Sequence, residues 1–206
     1  MAEPPKLETC ERVLIVEGYS DLLFYAELLE ALGKHHGVFI KHFNGRADLA
    51  AKLETFLTPQ LLTSKQALGV IVDADANPHG TSVQLAQLLT RLTGQTLAAG
   101  QWTAGKPRIG FFLTPDGQSA GEIETLVWRA WSGDPANQQA RGCIEAFAHC
   151  MSQAGFRAHS PEKGVVGALL AIRNDDDPRL GPGARARVFD FARPEFASLR
   201  QFLSGL

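Results

Sequence analysis

The chain has 206 residues, 45% hydrophobic and 20% charged, with a formal net charge of −2 at pH 7. This excludes an intrinsically disordered chain and a polycation that adheres to nucleic acid by bulk charge, and it allows one sizeable core without covalent staples. The three cysteines, Cys10, Cys143 and Cys150, do not form a disulfide-framework pattern; Cys143 and Cys150 read as two small core residues on one helix face. The opening MAEPPKLETCER lacks the basic start and apolar run of a signal peptide. No apolar stretch approaches the ~20 residues that span a bilayer, so we expect a cytoplasmic protein with no membrane partner.

RVLIV at residues 12–16 is a short β-branched run of the kind buried on both faces of a sheet. Gly18 follows, and Ser20 is placed to cap a helix whose Leu22, Tyr25, Leu29 and Leu32 share a face before Gly33 closes it. VFIKHF at 38–43 is a second strand, leading through Asn44-Gly45 into a helix over about 47–57. ALGVIVDAD at 67–75 is the third and most hydrophobic strand, with a helix over about 82–92 after it. RIGFFL at 108–113 is the fourth; a Pro115-Asp116-Gly117 turn separates it from the helix begun by GEIETLVWRAW at 121–131. Strands alternating with helices predict an α/β fold, a four-stranded mainly parallel sheet with helices on both faces.

Beyond residue 131 the strand signals fade. Helices are predicted over 137–154 and near 195–203, residues 163–172 read as a short helix or, as the alternative, a strand, and a Gly-Pro-Gly loop precedes the last helix. Asp175, Asp176 and Asp177 read as a solvated turn before Pro178. The organisation expected is an α/β core over 1–131 and a C-terminal helical extension over 132–206 packed on it, together one structural domain.

Open parallel sheets bind ligands beyond the carboxyl ends of their strands. There the first strand presents Glu17, the third Asp73 and Asp75, and the fourth Asp116. In extended backbone, residues two apart point the same way, so Asp73 and Asp75 should face one spot and repel unless a cation joins them. Mg2+, a hard ion that prefers carboxylate oxygen, suits such a pair. Glu17 reaches the same ion if the first and third strands are neighbours, and Asp21, in the first turn of the next helix, adds a ligand or simply complements the helix dipole.

VEGYSD at 16–21 followed by VDAD at 72–75 resembles the Toprim signature, Glu-Gly-x-x-Asp after the first strand and Asp-x-Asp after the third. Toprim domains occur in bacterial primases, topoisomerases, recombination-repair proteins, ribosomal-RNA maturases and OLD-family nucleases. The chain is most similar to OLD-nuclease-type Toprims and their small standalone prokaryotic relatives of unknown function. The resemblance implies a Toprim-like sheet. It places Glu124, within GEIETL, in the position of a further metal carboxylate, and Lys163 in that of a C-terminal lysine that assists catalysis.

Two functions follow from the resemblance. One is a Mg2+- or Mn2+-dependent nuclease on DNA or RNA, used in defence or repair. Its metal ligands would be Glu17, Asp21, Asp73, Asp75 and Glu124, and its catalytic residues Glu17 and Lys163. The other is a non-catalytic module that serves a larger assembly through a partner ATPase or as a homo-oligomer. Beside these stands a different phosphotransfer fold such as a receiver domain, which explains the strand-end acids but not the Glu-Gly-x-x-Asp motif.

Overall fold

The computed structural model describes residues 5–174 and 176–206. The four strands are β1 (Arg12–Val16), β2 (Val38–His42), β3 (Ala67–Asp73) and β4 (Arg108–Thr114). They form one sheet in the order β2-β1-β3-β4, with every pairing parallel. The fold is therefore α/β. The two central strands are the β-branched runs because both of their faces are covered. Leu14, Val16 and Ile71 enter one hydrophobic cluster, and Val13, Ile15, Val70 and Val72 the other.

The second cluster is closed by α2 (Arg46–Phe56), α3 (Pro59–Ser64) and α4 (Pro78–Thr93), through residues such as Leu53, Leu61 and Leu89. The first is closed by α1 (Tyr19–Ala31) and α5 (Ile123–Ser132). It is also closed by elements beyond residue 131: α7 (Pro161–Arg173), α8 (Leu180–Arg185) and α9 (Ala197–Ser204). The C-terminal segment thus shares its core with β1 and α1.

Several local expectations are corrected. Ser20 is not the cap of α1: the helix starts at Tyr19, Gly18 is the N-cap, and Asp21 accepts the Gly18 N–H at 2.9 Å. α4 begins at Pro78, because Asn77 caps it by accepting the Gly80 N–H at 2.9 Å and proline suits a first helical position. Cys143 and Cys150 are exposed, since α6 (Gln138–Gln153) buries only Ile144. Asp175 lies outside the described residues; Asp177 pairs with Arg179 at 2.5 Å. No helix of the described residues is long and apolar enough to cross a membrane.

The Gly-Pro-Gly stretch is not a loop but α8, and its glycines explain why. A Cβ on Gly181 would collide with Leu23 of α1, and one on Gly183 with Leu170 of α7. Gly181→Ala is accordingly expected to cost about 1–3 kcal/mol, the usual penalty of overpacking. Denaturant unfolding reads it, and a loss under ~0.5 kcal/mol would show that α1 and α8 are not in close contact.

Candidate functional site

Parallel strands deliver the residues that follow them to one edge of the sheet. Val16 is in register with Ile71, so Glu17 arrives beside the end of β3, and its Oε1 accepts the Asp73 N–H at 2.9 Å. At the end of β2 the chain turns on Gly45, which has φ of +92° and donates its N–H to the Glu17 carbonyl at 2.9 Å. That left-handed turn, which glycine adopts without penalty, sets Arg46, the first residue of α2, over the end of β1.

Arg46 ties one side of the edge together. Its Nε and Nη2 donate to Glu17 Oε1 at 3.2 and 3.1 Å. Its Nη1 pairs with Asp75 Oδ2 at 2.9 Å and donates to Thr81 Oγ1 at 3.2 Å. The Asp73 carbonyl also accepts from this guanidinium. Asp75 reaches Arg46 because β3 has ended: its φ is +52°, and its N–H and carbonyl both bond to Gly121, each at 2.8 Å. The alternation of extended backbone therefore fails between Asp73 and Asp75. The expectation that both carboxylates face one spot is corrected.

Asp73 points the other way, into the layer of α1 and α5. Its Oδ1 accepts the Thr114 hydroxyl at 2.5 Å and the N–H of Ile123, first residue of α5, at 3.0 Å. Burial pushes its pKa up to about 8; the Thr114 bond opposes this, and Glu17, Asp21 and Glu124 add to the rise. Burial likewise pushes Asp21 up to about 6, against the pull of the Gly18 N–H and with a further push from Glu17. Glu124 is raised chiefly by burial, and its Oε2 is buried with no hydrogen-bond partner among the described residues. Beneath them lies the buried Tyr25, its hydroxyl driven up by burial and by Asp21, Asp73, Glu17 and Glu124.

Lys163 closes the rim. Its Nζ donates to Glu122 Oε2 at 2.5 Å, while Ser160, the N-cap of α7, donates its hydroxyl to the other Glu122 oxygen. Burial pulls the Lys163 ammonium down, but the Glu122 bond and the neighbouring Glu124 outweigh it and hold the lysine above its ordinary value.

Glu17, Asp21, Asp73, Asp75, Glu124 and Lys163 thus meet at one edge, with Asp75 turned toward Arg46. Asp116 stands apart, accepting the Gln118 and Ser119 N–H groups of its own turn and pairing with Arg129 at 3.5 Å. Sequence reasoning missed Arg46, Glu122 and Tyr25. The signal for Arg46 was there: the one clear strand end without a carboxylate carries a cation, directly after Asn44-Gly45.

By donor type the cluster suits a hard divalent ion, and the orphaned Glu124 Oε2 is an atom such an ion would satisfy. As the side chains stand, no three or more His, Cys, Asp or Glu among the described residues form a group that could hold a metal. A groove of about 1310 Å3 lies toward the other end of α1, lined by Glu30, Trp131, Arg187 and Phe191 among others. It contains none of these edge residues, and two of its arginines are already matched to acids, Arg185 to Glu27 at 2.7 Å and Arg193 to Asp134 at 3.8 Å. The edge, where carboxylates crowd without enough cations, is the better candidate.

Fold and site define an α/β protein with an acidic cluster at the carboxyl edge of a four-stranded parallel sheet. Residues 11–206 match the family of proteins of unknown function called DUF3226, and the chain belongs to that family. No curated protein and no solved structure matches the chain.

Proposed function

We propose that the chain is a Toprim-type, Mg2+- or Mn2+-dependent phosphodiesterase. In this reading it is a cytoplasmic nuclease acting on DNA or RNA in defence or repair, aided by a partner ATPase or by self-association. The observation that carries the reading is Asp73. Its carboxyl ends a buried strand among Asp21, Glu124 and Glu17, with its pKa pushed up to about 8. Titratable groups displaced by burial together with specific charged neighbours cluster at functional sites. In an OLD-like Toprim these positions are the metal carboxylates, which agrees with the resemblance of the two acidic motifs.

Asp21, Asp73 and Glu124 would hold the ion, which when bound supplies charge neutralisation and activates water. The remaining work falls to the chain. Glu17 is steadied on Oε1 by Arg46 and the Asp73 N–H, which leaves Oε2 as the atom to give or take a proton. Lys163 Nζ, held at the rim by Glu122, offsets charge developing on the phosphate.

The test is a thermal melt with millimolar Mg2+ or Mn2+, paired with cleavage of labelled DNA and RNA. We expect a metal-induced rise in Tm, since a ligand bound only to the native state stabilises it. Glu17→Gln should lower the cleavage rate about a hundredfold, the lower range for a general acid–base group. Lys163→Ala should keep the metal-induced shift and lose rate. If Glu17→Gln cleaves as fast as the parent, the activity belongs to another site or a contaminant.

The second reading is a non-catalytic module. Two observations favour it: no three side chains among the described residues form a metal-ready group, and α6 presents exposed Phe147 and Met151 to solvent or a partner. A parent protein with neither Tm shift nor cleavage would make this the better account.

A further inference from the structure

The carboxylates at the sheet edge are served unequally. On the α2 side, Glu17 and Asp75 share Arg46, which is fixed to four groups: both carboxylates, the Thr81 hydroxyl and the Asp73 carbonyl. On the α5 side, Asp21, Asp73 and Glu124 face a layer whose nearest cation, Lys163, is committed to Glu122 at 2.5 Å. One half of the acidic edge thus has a guanidinium bonded directly to its carboxylates, whereas the other has only Lys163, which acts on Asp21 and Glu124 from the rim while bonded to Glu122.

An arginine is well chosen for such a post. It keeps its charge at any physiological pH, and its planar fork can engage two carboxylates at once through charge-assisted hydrogen bonds. Arg46 uses this geometry: Nε and Nη2 meet Glu17 while Nη1 meets Asp75. The backbone is built to receive it. Gly45, at φ +92°, starts α2 over the strand ends, and Asp75, at φ +52°, turns its carboxylate away from Asp73 and toward the guanidinium. A non-glycine residue in the left-handed region costs stability, so the turn at Asp75 is held by its paired bonds to Gly121.

We propose that Arg46 is a resident cation standing where a second metal would sit, so that this protein takes a single divalent ion, on the Asp21–Asp73–Glu124 side. The inference rests on the metal-dependent reading above and goes beyond it. It assigns the two halves of the acidic edge different cations, with Asp75 serving the arginine and not the metal. The side chain of Arg46 is a positioning group in this scheme: it holds Glu17 against the Asp73 N–H and keeps Glu17 and Asp75 from recruiting a metal of their own.

Calorimetric titration of the full chain with Mn2+, with free ion counted by electron paramagnetic resonance, tests this. The parent should bind one ion per chain. Arg46→Met, which frees Glu17 and Asp75, should bind two. Arg46→Lys, which retains a cation, should stay at one. Asp75→Asn should leave the single ion of the parent bound with affinity changed less than about threefold, whereas Asp73→Asn should abolish it. Two ions in the parent, one in Arg46→Met, or loss of the single ion in Asp75→Asn would each overturn the inference while leaving the metal-dependent reading intact. No ion bound to the parent would overturn both. If Arg46→Met does not fold, the parent stoichiometry together with the Asp75→Asn and Asp73→Asn contrast decides the matter.

Discussion

Metal-free protein is expected to lose stability as the pH rises from about 4.5 to 8, and Asp73→Asn is expected to remove most of that loss. The sign follows from proton binding. Asp73 and Asp21 titrate near 8 and 6 in the folded protein but near 3.8 in the unfolded chain. Between those limits the folded state holds more protons, so each rise in pH favours unfolding. For Asp73 the full displacement corresponds to several kcal/mol, on the order of 4–6 at ~1.4 kcal/mol per pH unit. Below this window the slope reverses, because Asp48, Asp116 and Asp177 are held below the usual carboxylate range and lose their partners on protonation. Urea unfolding at fixed ionic strength between pH 4.5 and 8 measures the effect. Saturating Mn2+ should flatten or invert the slope, since metal ligands must be deprotonated. A stability flat in pH for both parent and Asp73→Asn would show that the Asp73 carboxyl is well solvated, and the candidate site would lose its main support.

Phe24→Ala should destabilise the protein by about 3–5 kcal/mol, the range for truncating a buried aromatic. The Phe24 ring is fully buried and meets Tyr25 at 5.5 Å, Phe191 at 5.5 Å, Phe189 at 6.4 Å and Phe196 at 6.5 Å between centroids. Three of those four partners come from beyond residue 131, so the ring joins α1 to the C-terminal segment. For a chain of this size the expected fall in Tm is roughly 10 °C, against less than ~2 °C for Tyr19→Ala at an exposed position of the same helix. A loss below ~1 kcal/mol would mean that the C-terminal segment carries a core of its own.

Much of the fold is written locally. The β-branched runs of β1 and β3 are recognisable because a strand covered on both faces cannot alternate polar and apolar residues. Where such strands end, the next side chains must lie on the carboxyl edge. Glu17, Asp73 and Asp75 could therefore be placed there from their positions alone, and Asp21 and Glu124 from the first turns of the helices that follow. Period and punctuation also placed α1, α5 and α7 to within a few residues.

Which charge each residue meets is a different matter. Glu17 lies 29 residues from Arg46, and Lys163 lies 41 from Glu122. Asn44-Gly45 places Arg46 at a strand end, but nothing local says which carboxylates it will meet there. Asp75 left the line of β3 because Gly121, brought in by the chain returning from β4, took both of its backbone groups. The Gly-Pro-Gly stretch became α8 because its missing side chains let the backbone close on Leu23 and Leu170. Cys143 and Cys150 faced outward because α7, with four buried residues, took the place against the core, while α6 kept only Ile144 inside. By itself the sequence determined the α/β alternation and the edge on which the acids gather, since both depend on residues within one turn or one strand of each other. Only the tertiary structure decided that one half of this edge has an arginine bonded to its carboxylates while the other meets only Lys163 at its rim. That division depends on contacts of a few ångströms between segments far apart in the chain, which no local pattern encodes.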